Sequence, residues 1–274
     1  MKEYRVDGKV AIVTGSGRGI GKAIALALAE AGADIVLAAR TKKQIEQTAE
    51  ELRKMGSKAI AISTDVSKED QIRTVVEQTI SEFGIIDILV NNAGISPFKP
   101  VVSTEVKLPG WEAAGDDWDN PYSLEDWHRI IDTNLTSAFL FARAVAPHMI
   151  RQKKGKIVNM SSTAGEQGIP YLSAYCVSKA GLTELTRCLA SEWATFNINV
   201  NAITPGDIAT DIVEGMLQDP GMRRTVLEAI PFGRLGEPRE VALLTLFLVS
   251  EASSYVTGQT FTIDGGAFGR GPAI

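Results

Sequence analysis

The pattern of apolar and polar positions along the chain predicts an α/β protein. Seven short apolar runs have the length and composition of strands that are buried on both faces. Longer segments between them carry apolar residues three and four positions apart, which is the period of an amphipathic helix. The strands are predicted at residues 9–14, 34–39, 59–63, 86–90, 156–160, 198–203 and, with its closing turn, 261–266. The helices are predicted at residues 22–31, 44–55, 68–83, 123–146 and 175–189, with a last helix beginning at 237.

The alternation of strands and helices predicts the fold class. It favours a Rossmann-like, doubly wound parallel sheet of seven strands with helices on both faces. We expect a single domain over residues 1–274, because the chain has no linker rich in Pro, Gly or Ser. Ser123, followed by acidic residues, predicts a helix start, and Pro147 is expected to interrupt that helix.

The composition narrows the function classes. A net charge of -5 without a basic stripe disfavours binding to nucleic acid or to an anionic membrane. Cys176 and Cys188 are about 18 Å apart along one predicted helix, too far for a disulfide, so a reducing compartment is expected. No apolar leader or membrane span is evident, and a cytoplasmic enzyme is the default expectation. His128 and His148 are too isolated for a metal site.

A glycine-rich turn follows the first predicted strand. Residues 15–21 read Gly-Ser-Gly-Arg-Gly-Ile-Gly and lead into a helix. Glycines let backbone N–H groups and a helix N-terminus approach a phosphate without an obstructing Cβ. Ile20 and Lys22 stand where the common G-x-G-x-x-G pattern has glycine, so the spacing differs from that fingerprint.

A phenol and an ammonium after the fifth strand suggest proton transfer. Tyr175 and Lys179 are four positions apart and share one face if the segment is helical. An ammonium about 4 Å from a phenolate contributes about 4 kcal/mol at an effective dielectric near 20, or roughly three pKa units. We therefore expect the pKa of Tyr175 to fall from about 10 to about 7, which suits proton exchange with an alcohol or carbonyl. Taken alone, such a pair is more often an ordinary pair on a helix surface.

Several short motifs together resemble the short-chain dehydrogenase/reductase family of single-domain, NAD(P)-dependent oxidoreductases. The resemblance extends from about residue 8 to about residue 266. It implies an enzyme that interconverts a secondary alcohol and a ketone by hydride transfer. The motifs that carry the resemblance are Thr14-Gly15-x-x-x-Gly19-x-Gly21, Asn91-Asn92-Ala93-Gly94, Asn134, Ser162 and Tyr175-x-x-x-Lys179.

The resemblance implies four catalytic residues. Tyr175 would be the general acid or base, and Lys179 would lower its pKa and hold the nicotinamide ribose. Ser162 would hydrogen-bond the substrate oxygen, since in the family the catalytic Ser precedes the Tyr by thirteen positions, whereas Ser161 would pack or cap. Asn134 would hold a water that relays protons to Lys179, although a bare Asn here is more often a helix-surface amide.

The resemblance also implies which residues contact the dinucleotide. Asp65 and Val66 would flank the adenine, although Asp65 fits a helix N-cap region equally well. Residues 205–210 would lie near the nicotinamide amide, and Asn91 would be mainly structural. The full cofactor-binding set is Gly15, Ser16, Gly17, Arg18, Gly19, Ile20, Gly21, Arg40, Asp65, Val66, Asn92, Ala93, Gly94, Tyr175, Lys179, Pro205, Gly206, Ile208 and Thr210.

Two arginines favour NADP(H) over NAD(H), although NAD remains possible. An acidic residue after the second strand would hydrogen-bond the ribose 2′-hydroxyl and repel a 2′-phosphate. This chain has Arg40 there and Arg18 in the glycine turn. A charge-assisted contact contributes about 1.5–3 kcal/mol, or roughly 10- to 150-fold in affinity. The alternative for each residue is a solvated surface arginine.

Two segments are expected at the rim of the active site, and the first of them departs from the family, which commonly has a short connection there. The insertion at about 96–122 is long and rich in Pro and acidic residues, and we expect it to form a wall of the substrate pocket with Trp111 or Trp118 facing the ligand. An ordered flap or subunit contact is the equal alternative. A lid is expected at about 207–232, where Met216, Leu217 and Met222 contact substrate or simply pack.

The partner is expected to be a small alcohol or ketone. The resemblance allows sugars or polyols, 3-oxoacyl thioesters, cyclic ketones and steroids, and it implies a homotetramer. Two other function classes stay open, namely a non-catalytic NADP-binding sensor and a lyase or epimerase on the same scaffold.

Overall fold

The sheet has the predicted strands and topology. The computed structural model describes residues 1–103, 120–211, 213 and 217–268 of the chain. Within these residues all strand pairs are parallel, in the order β3-β2-β1-β4-β5-β6-β7. The strands are β1 (Val10–Thr14), β2 (Asp34–Ala39), β3 (Ala59–Ser63), β4 (Ile88–Asn91), β5 (Gly155–Met160), β6 (Ile198–Pro205) and β7 (Thr260–Ile263). The Rossmann-like, doubly wound fold is confirmed.

Helices cover both faces of this sheet. In the described ranges they are α1 (Gly19–Glu30), α2 (Lys42–Lys54), α3 (Glu69–Phe83), α4 (Leu124–Ile131), α5 (Ser137–Gln152), α6 (Ser173–Trp193), α7 (Pro220–Ala229) and α8 (Pro238–Val249). Side chains alternate along β1, so Ala11 and Val13 pack with α1, α2 and α8, whereas Val10 and Ile12 pack with α3, α5 and α6. None of the described helices is long and apolar enough to cross a membrane.

The predicted start of α4 is correct, but the predicted break at Pro147 is wrong. Ser123 caps α4 and forms a reciprocal pair of hydrogen bonds with Asp126. α5 continues through Pro147 to Gln152. Val145 and Met149, on either side of the proline, are completely buried. Burying two such side chains outweighs the roughly 3 kcal/mol that an internal proline costs.

A π-helical turn at Asp132–Thr136 joins α4 to α5, within a region that the sequence predicts as one regular helix. Such wide turns are rare and often occur at functional sites. Asn134 lies in this turn and is only 1% exposed, which rules out a helix-surface amide.

The carboxyl ends of the strands form one edge of the sheet, where the candidate residues lie. The strand order reverses between β1 and β4, and open α/β sheets bind ligands at such a switch point. The residues that follow successive strand ends are Gly15 after β1, Arg40 after β2, Asp65 after β3, Asn92 after β4, Ser162 after β5 and Gly206 after β6.

Candidate active site

The glycine turn is held tightly against the end of β4. Gly15 has a φ of +64°, a backbone conformation that favours glycine. The Asn92 side-chain amide donates to the carbonyl oxygens of Thr14 and Gly15, at 2.9 and 3.3 Å. A Cβ on Gly21 would lie 2.5 Å from Asn92 Nδ2 and closer still to the Gly15 carbonyl oxygen. The turn therefore has no room for a side chain at Gly21.

The remaining residues of the turn pack on its two sides. A Cβ on Gly17 would lie 3.0 Å from Gln44 in α2, and one on Gly19 would lie 3.3 Å from Thr210 Cγ2. Ile20 packs against the apolar core beneath α1. The turn therefore bridges α2 and the segment after β6.

Two polar features of the turn fit a phosphate. Ser16 Oγ is buried and has no hydrogen-bond partner among the described residues. α1 begins after Arg18 without a side-chain cap, so its first N–H groups are available as donors. A pyrophosphate offers acceptor oxygens to both, and the positive end of the helix favours its charge. The residues present thus suit a dinucleotide.

The two predicted arginines lie at the outer rim of this edge. Arg40 is exposed after β2. Burial of Asp65 opposes its ionisation, but hydrogen bonds from Ser67 and the charge of Arg40 outweigh burial and lower the pKa of Asp65. Arg18 is half-exposed, with Nη1 3.9 Å from an exposed carboxylate oxygen of Asp211, a pair that contributes little in water. Both guanidiniums can therefore reach an anion.

Asp65 and Val66 have different surroundings. Asp65 Oδ1 accepts hydrogen bonds from the Ser67 N–H and hydroxyl, at 3.0 and 2.8 Å. The N-cap of α3 is Lys68, so Asp65 closes a turn before the helix and does not cap it. Val66 is buried in the core against α3 and α5.

The segment after β4 is fastened at two points. The Thr14 hydroxyl accepts from the backbone N–H groups of Asn92 and Ala93, at 2.9 and 3.0 Å. Asn134 pairs in both directions with the backbone of Ile95, accepting at 2.8 Å and donating at 2.9 Å. These bonds fix the backbone of Gly94 between the glycine turn and α6.

Four predicted side chains converge beside Gly94. A Cβ on Gly94 would lie 3.4 Å from Asn134 Oδ1 and 3.5 Å from Lys179 Nζ. Lys179 is buried, and its Nζ lies 5.6 Å from the centroid of the Tyr175 ring. Ser162 lies near enough to the Tyr175 phenol for its hydroxyl to lower the pKa of that phenol. The predicted catalytic quartet is therefore one cluster at the carboxyl edge of the sheet.

The segment after β6 completes the edge. Pro205 ends β6, and Gly206 packs so closely that its Cβ would lie 2.7 Å from the Asp264 Cβ. Ile208 is buried and pairs with Gly236, whereas Thr210 lies over Gly19. Of the residues predicted near the nicotinamide, Thr210 thus borders the glycine turn.

Comparisons with known proteins identify relatives over nearly the whole chain. A family model described as Enoyl-(Acyl carrier protein) reductase matches residues 15–267. A 3-oxoacyl-[acyl-carrier-protein] reductase of Thermotoga maritima is 39% identical over 262 residues, which are 96% of this chain and 98% of that protein. The chain belongs to the short-chain dehydrogenase/reductase family. It is accordingly an oxidoreductase of alcohol and carbonyl groups.

Solved structures of the family superimpose on nearly the whole chain. A gluconate 5-dehydrogenase of Burkholderia cenocepacia in complex with NADP and tartrate has a TM-score of 0.87 and 34% identity, over 98% of this chain and 99% of that one. A 7α-hydroxysteroid dehydrogenase complexed with NADH and 7-oxo glycochenodeoxycholic acid has the same TM-score and identity, over 97% and 96% of the two chains. Both nicotinamide cofactors thus occur among similar short-chain dehydrogenases.

The expected pKa of Tyr175 in this short-chain dehydrogenase needs correction. Burial raises the pKa of the phenol above its ordinary value, and the nearby Ser162 hydroxyl offsets only part of this rise. Lys179 Nζ instead donates to the Met160 carbonyl oxygen at 2.7 Å. The expectation of about 7 considered the ammonium charge but not the desolvation of the phenol.

Three contacts that support the site do not follow from the sequence patterns. The Ser178 hydroxyl donates to the Tyr175 carbonyl oxygen at 2.7 Å and accepts from Asn134 at 3.0 Å. The Thr14 hydroxyl bridges β1 to β4 as described above. Gly165 packs its turn on α6, since a Cβ there would lie 2.8 Å from the Ala180 nitrogen. In the sequence, Thr14 is marked as the first residue of the glycine-turn motif, whereas Ser178 and Gly165 are marked only by lying three positions from Tyr175 and Ser162.

Several predicted substrate contacts lie outside the described residues. Trp111, Trp118 and Met216 are among them. Leu217 is buried and Met222 partly buried. The wall and lid stay predictions.

Burial of Lys179 has a measurable consequence for stability. Burial lowers the pKa of its ammonium from 10.5 to about 8. Between these two pKa values the unfolded chain binds more protons than the folded chain. The free energy of unfolding therefore rises with pH, by about 1.4 kcal/mol per pH unit at most. We expect the free energy of unfolding of wild type to rise by about 1–2 kcal/mol, relative to that of Lys179→Met, from pH 7.5 to 9.5 in urea titrations. Parallel curves would contradict a buried, protonated Lys179.

Proposed function

We propose that the chain is an NADP(H)-preferring oxidoreductase that interconverts a secondary alcohol and a ketone, with Tyr175 as general acid and base. The observation that carries the proposal is the cluster of Ser162, Tyr175, Lys179 and Asn134 beside Gly94, on the sheet edge that also carries the glycine turn. A proton donor and a dinucleotide cradle on one edge suit hydride transfer accompanied by proton transfer.

The proposed mechanism assigns one task to each side chain. A bound nicotinamide supplies or accepts the hydride. In reduction, Tyr175 donates its phenolic proton to the developing alkoxide, and Ser162 donates a hydrogen bond to the same oxygen. The buried environment keeps Tyr175 protonated at neutral pH, which is the form that reduction requires. Oxidation uses the same groups in reverse and is favoured by higher pH.

Lys179 and Asn134 support Tyr175 in this proposal. The Lys179 ammonium stabilises the phenolate that forms as Tyr175 gives up its proton. It also holds the nicotinamide ribose. Asn134 keeps its amide fixed between Ile95 and Ser178 and holds a water that returns a proton through Lys179.

The preference for NADP(H) rests on charge. Arg40 and Arg18 lie at the adenosine end of the glycine turn, and no acidic residue follows β2 directly. Arg40→Ser is expected to weaken NADPH binding about 10-fold or more, because one charge-assisted contact is lost, and to leave NADH binding within about twofold. Fluorescence titration with both cofactors at matched salt measures this. Arg53→Ser in α2 is the matched control, and equal losses for NADPH and NADH would contradict a 2′-phosphate contact.

The substrate class is best approached through the relatives. Their names specify a 3-oxoacyl thioester, gluconate and a bile acid derivative. We propose a substrate within the classes of 3-oxoacyl thioesters, sugar acids or polyols, and cyclic ketones. The deciding experiment follows absorbance of NADPH and NADH with a panel of these ketones, and of the corresponding alcohols with the oxidised cofactors. Cofactor binding without turnover across the panel would instead favour a sensor.

We further propose a homotetramer of single-domain subunits in the cytoplasm. Phe139 on α5 and Val177 on α6 are 42% and 49% exposed. Leu243 on α8 and Phe268 after β7 are also exposed apolar side chains. Burying these surfaces between copies would remove apolar area from water. Light scattering on the purified chain measures the mass, and a monomer would oppose this part of the proposal.

A further inference from the structure

The carbonyl group of Tyr171 is held from two directions. The Lys99 backbone N–H donates to it at 2.9 Å, and the Tyr122 hydroxyl donates to it at 3.2 Å. The hydroxyl has one hydrogen, which it shares between this contact and a shorter one to the Pro97 carbonyl oxygen at 2.7 Å. The Tyr122 N–H donates to the Pro100 carbonyl oxygen at 2.9 Å. We call this arrangement of Lys99, Tyr122 and Tyr171 the clasp. It joins the chain on both sides of residues 104–119 to the loop between β5 and α6.

Tyr171 has an unfavourable backbone conformation that the clasp helps to maintain. Its φ is +64°, in the left-handed region. For a residue other than glycine this conformation is strained, because the Cβ comes too close to the neighbouring carbonyl oxygen. The hydrogen bond from the Lys99 N–H, with the weaker shared one from the Tyr122 hydroxyl, offsets this strain.

The start of α6 depends on this loop more than on local capping. α6 begins at Ser173, two residues after Tyr171, and no side chain caps it. A missing cap leaves the first turn without a local anchor. Tyr175 lies in this turn, and the Cys176 N–H donates to the Leu172 carbonyl oxygen at 2.8 Å. The position of Tyr175 therefore follows the position of the Tyr171–Leu172 peptide.

The other side of the clasp is anchored to α4. Lys99 Nζ lies 2.7 Å from Asp126 Oδ2, and both side chains are largely buried. The ammonium of Lys99, together with hydrogen bonds from Ser123, lowers the pKa of Asp126 to about 2. Since Asp126 also belongs to the capping box of α4, the clasp connects the first turn of α4 to the first turn of α6.

We propose that Tyr122 is a positioning residue for Tyr175, and that its hydroxyl sets the distance between the Tyr175 phenol and Ser162 by fixing the Tyr171 carbonyl. This inference rests on the proposed role of Tyr175 as general acid and base. Burial, with the nearby Asp126 and Cys176, raises the pKa of Tyr122 to about 12. Its hydroxyl therefore keeps its proton, and donates, throughout the pH range of an assay.

The test compares Tyr122→Phe with wild type and with Tyr255→Phe, whose ring is fully exposed. Tyr122→Phe is expected to lower kcat about fivefold, the effect of one neutral hydrogen bond, while KM for the cofactor stays within about twofold. Ser162 favours the phenolate, so a longer contact raises the pKa of Tyr175. The pH of half-maximal oxidation is therefore expected to move upward in this variant alone.

Hydrogen exchange gives a readout that does not depend on turnover. The backbone N–H of Cys176 is expected to exchange about fivefold faster in Tyr122→Phe, while helices far from the clasp, such as α8, keep their rates. If wild type turns over no substrate but this local exchange still rises, the proposed function fails and the clasp stands. A variant with unchanged kcat, pH midpoint and Cys176 exchange would overturn the proposal. So would a uniform rise in exchange with an unchanged pH midpoint, which indicates a structural role only.

Discussion

Tyr175→Phe is expected to lower kcat by about 10²-fold or more, because it removes the proton donor and keeps the ring. The phenol lies near Ser162, and its ring centroid lies 5.6 Å from Lys179 Nζ. The Phe ring fills nearly the same volume. Because burial keeps the Tyr175 phenol neutral, the substitution removes no charge from the folded protein. The fold and the cofactor site are therefore expected to persist.

Steady-state rates in both directions, together with NADPH titration, measure this prediction. Cofactor affinity is expected to stay within about threefold. Such a result would show that the variant loses an interaction made in the transition state and not one made in the ground state. Tyr255→Phe provides the control for loss of a phenol at an exposed position. Turnover of Tyr175→Phe within about fivefold of wild type would refute the assignment of the general acid.

Gly21→Ala is expected to reduce dinucleotide affinity by about 10²-fold or more. The added Cβ would come within 2.5 Å of Asn92 Nδ2 and closer to the Gly15 carbonyl oxygen, so α1 and the end of β4 would have to separate. Overpacking of this kind typically costs about 1–3 kcal/mol, and the displaced turn also loses its N–H contacts with phosphate. Isothermal titration with NADPH measures the affinity.

Gly168→Ala is the matched control for this substitution. Gly168 has no atom within 4 Å of an added Cβ and no positive φ. It is expected to leave affinity and thermal stability unchanged. Circular dichroism shows whether Gly21→Ala is folded at the titration temperature, and a folded variant with wild-type affinity would exclude the tight turn as the phosphate site.

The parallel sheet and the edge at which the candidate residues lie follow directly from the sequence. Apolar runs such as β1 are buried on both faces, and this pattern predicts a parallel sheet with ligands at its carboxyl edge. The family motifs lie at those strand ends, so Gly15, Asn92 and Ser162 could be located without coordinates. The convergence of Tyr175 with Ser162 depends on the contact between α6 and the loop after β5. Ser162 precedes Tyr175 by thirteen positions. Only the resemblance to the family implies that two residues at this spacing come together.

What the sequence could not predict depends on burial and on partners distant in the chain. The pKa of Tyr175 depends on a competition between desolvation and charge that spacing alone does not reveal. Asn134 pairs with Ile95, 39 residues away, and no local pattern indicates that partner. Pro147 lies in α5 because the core packs around Val145 and Met149, whereas propensity predicts a break.

The π-helical turn at Asp132–Thr136 acts as a phase shift between two helices. One residue corresponds to about 100° of rotation in an α-helix. Removing a single residue from this turn would let the backbone become regular, but it would rotate every α5 side chain relative to α4 by that angle. The apolar stripe around Phe141 would then leave the sheet. One extra residue in this turn thus determines both which side of α5 faces the sheet and where the Asn134 amide lies.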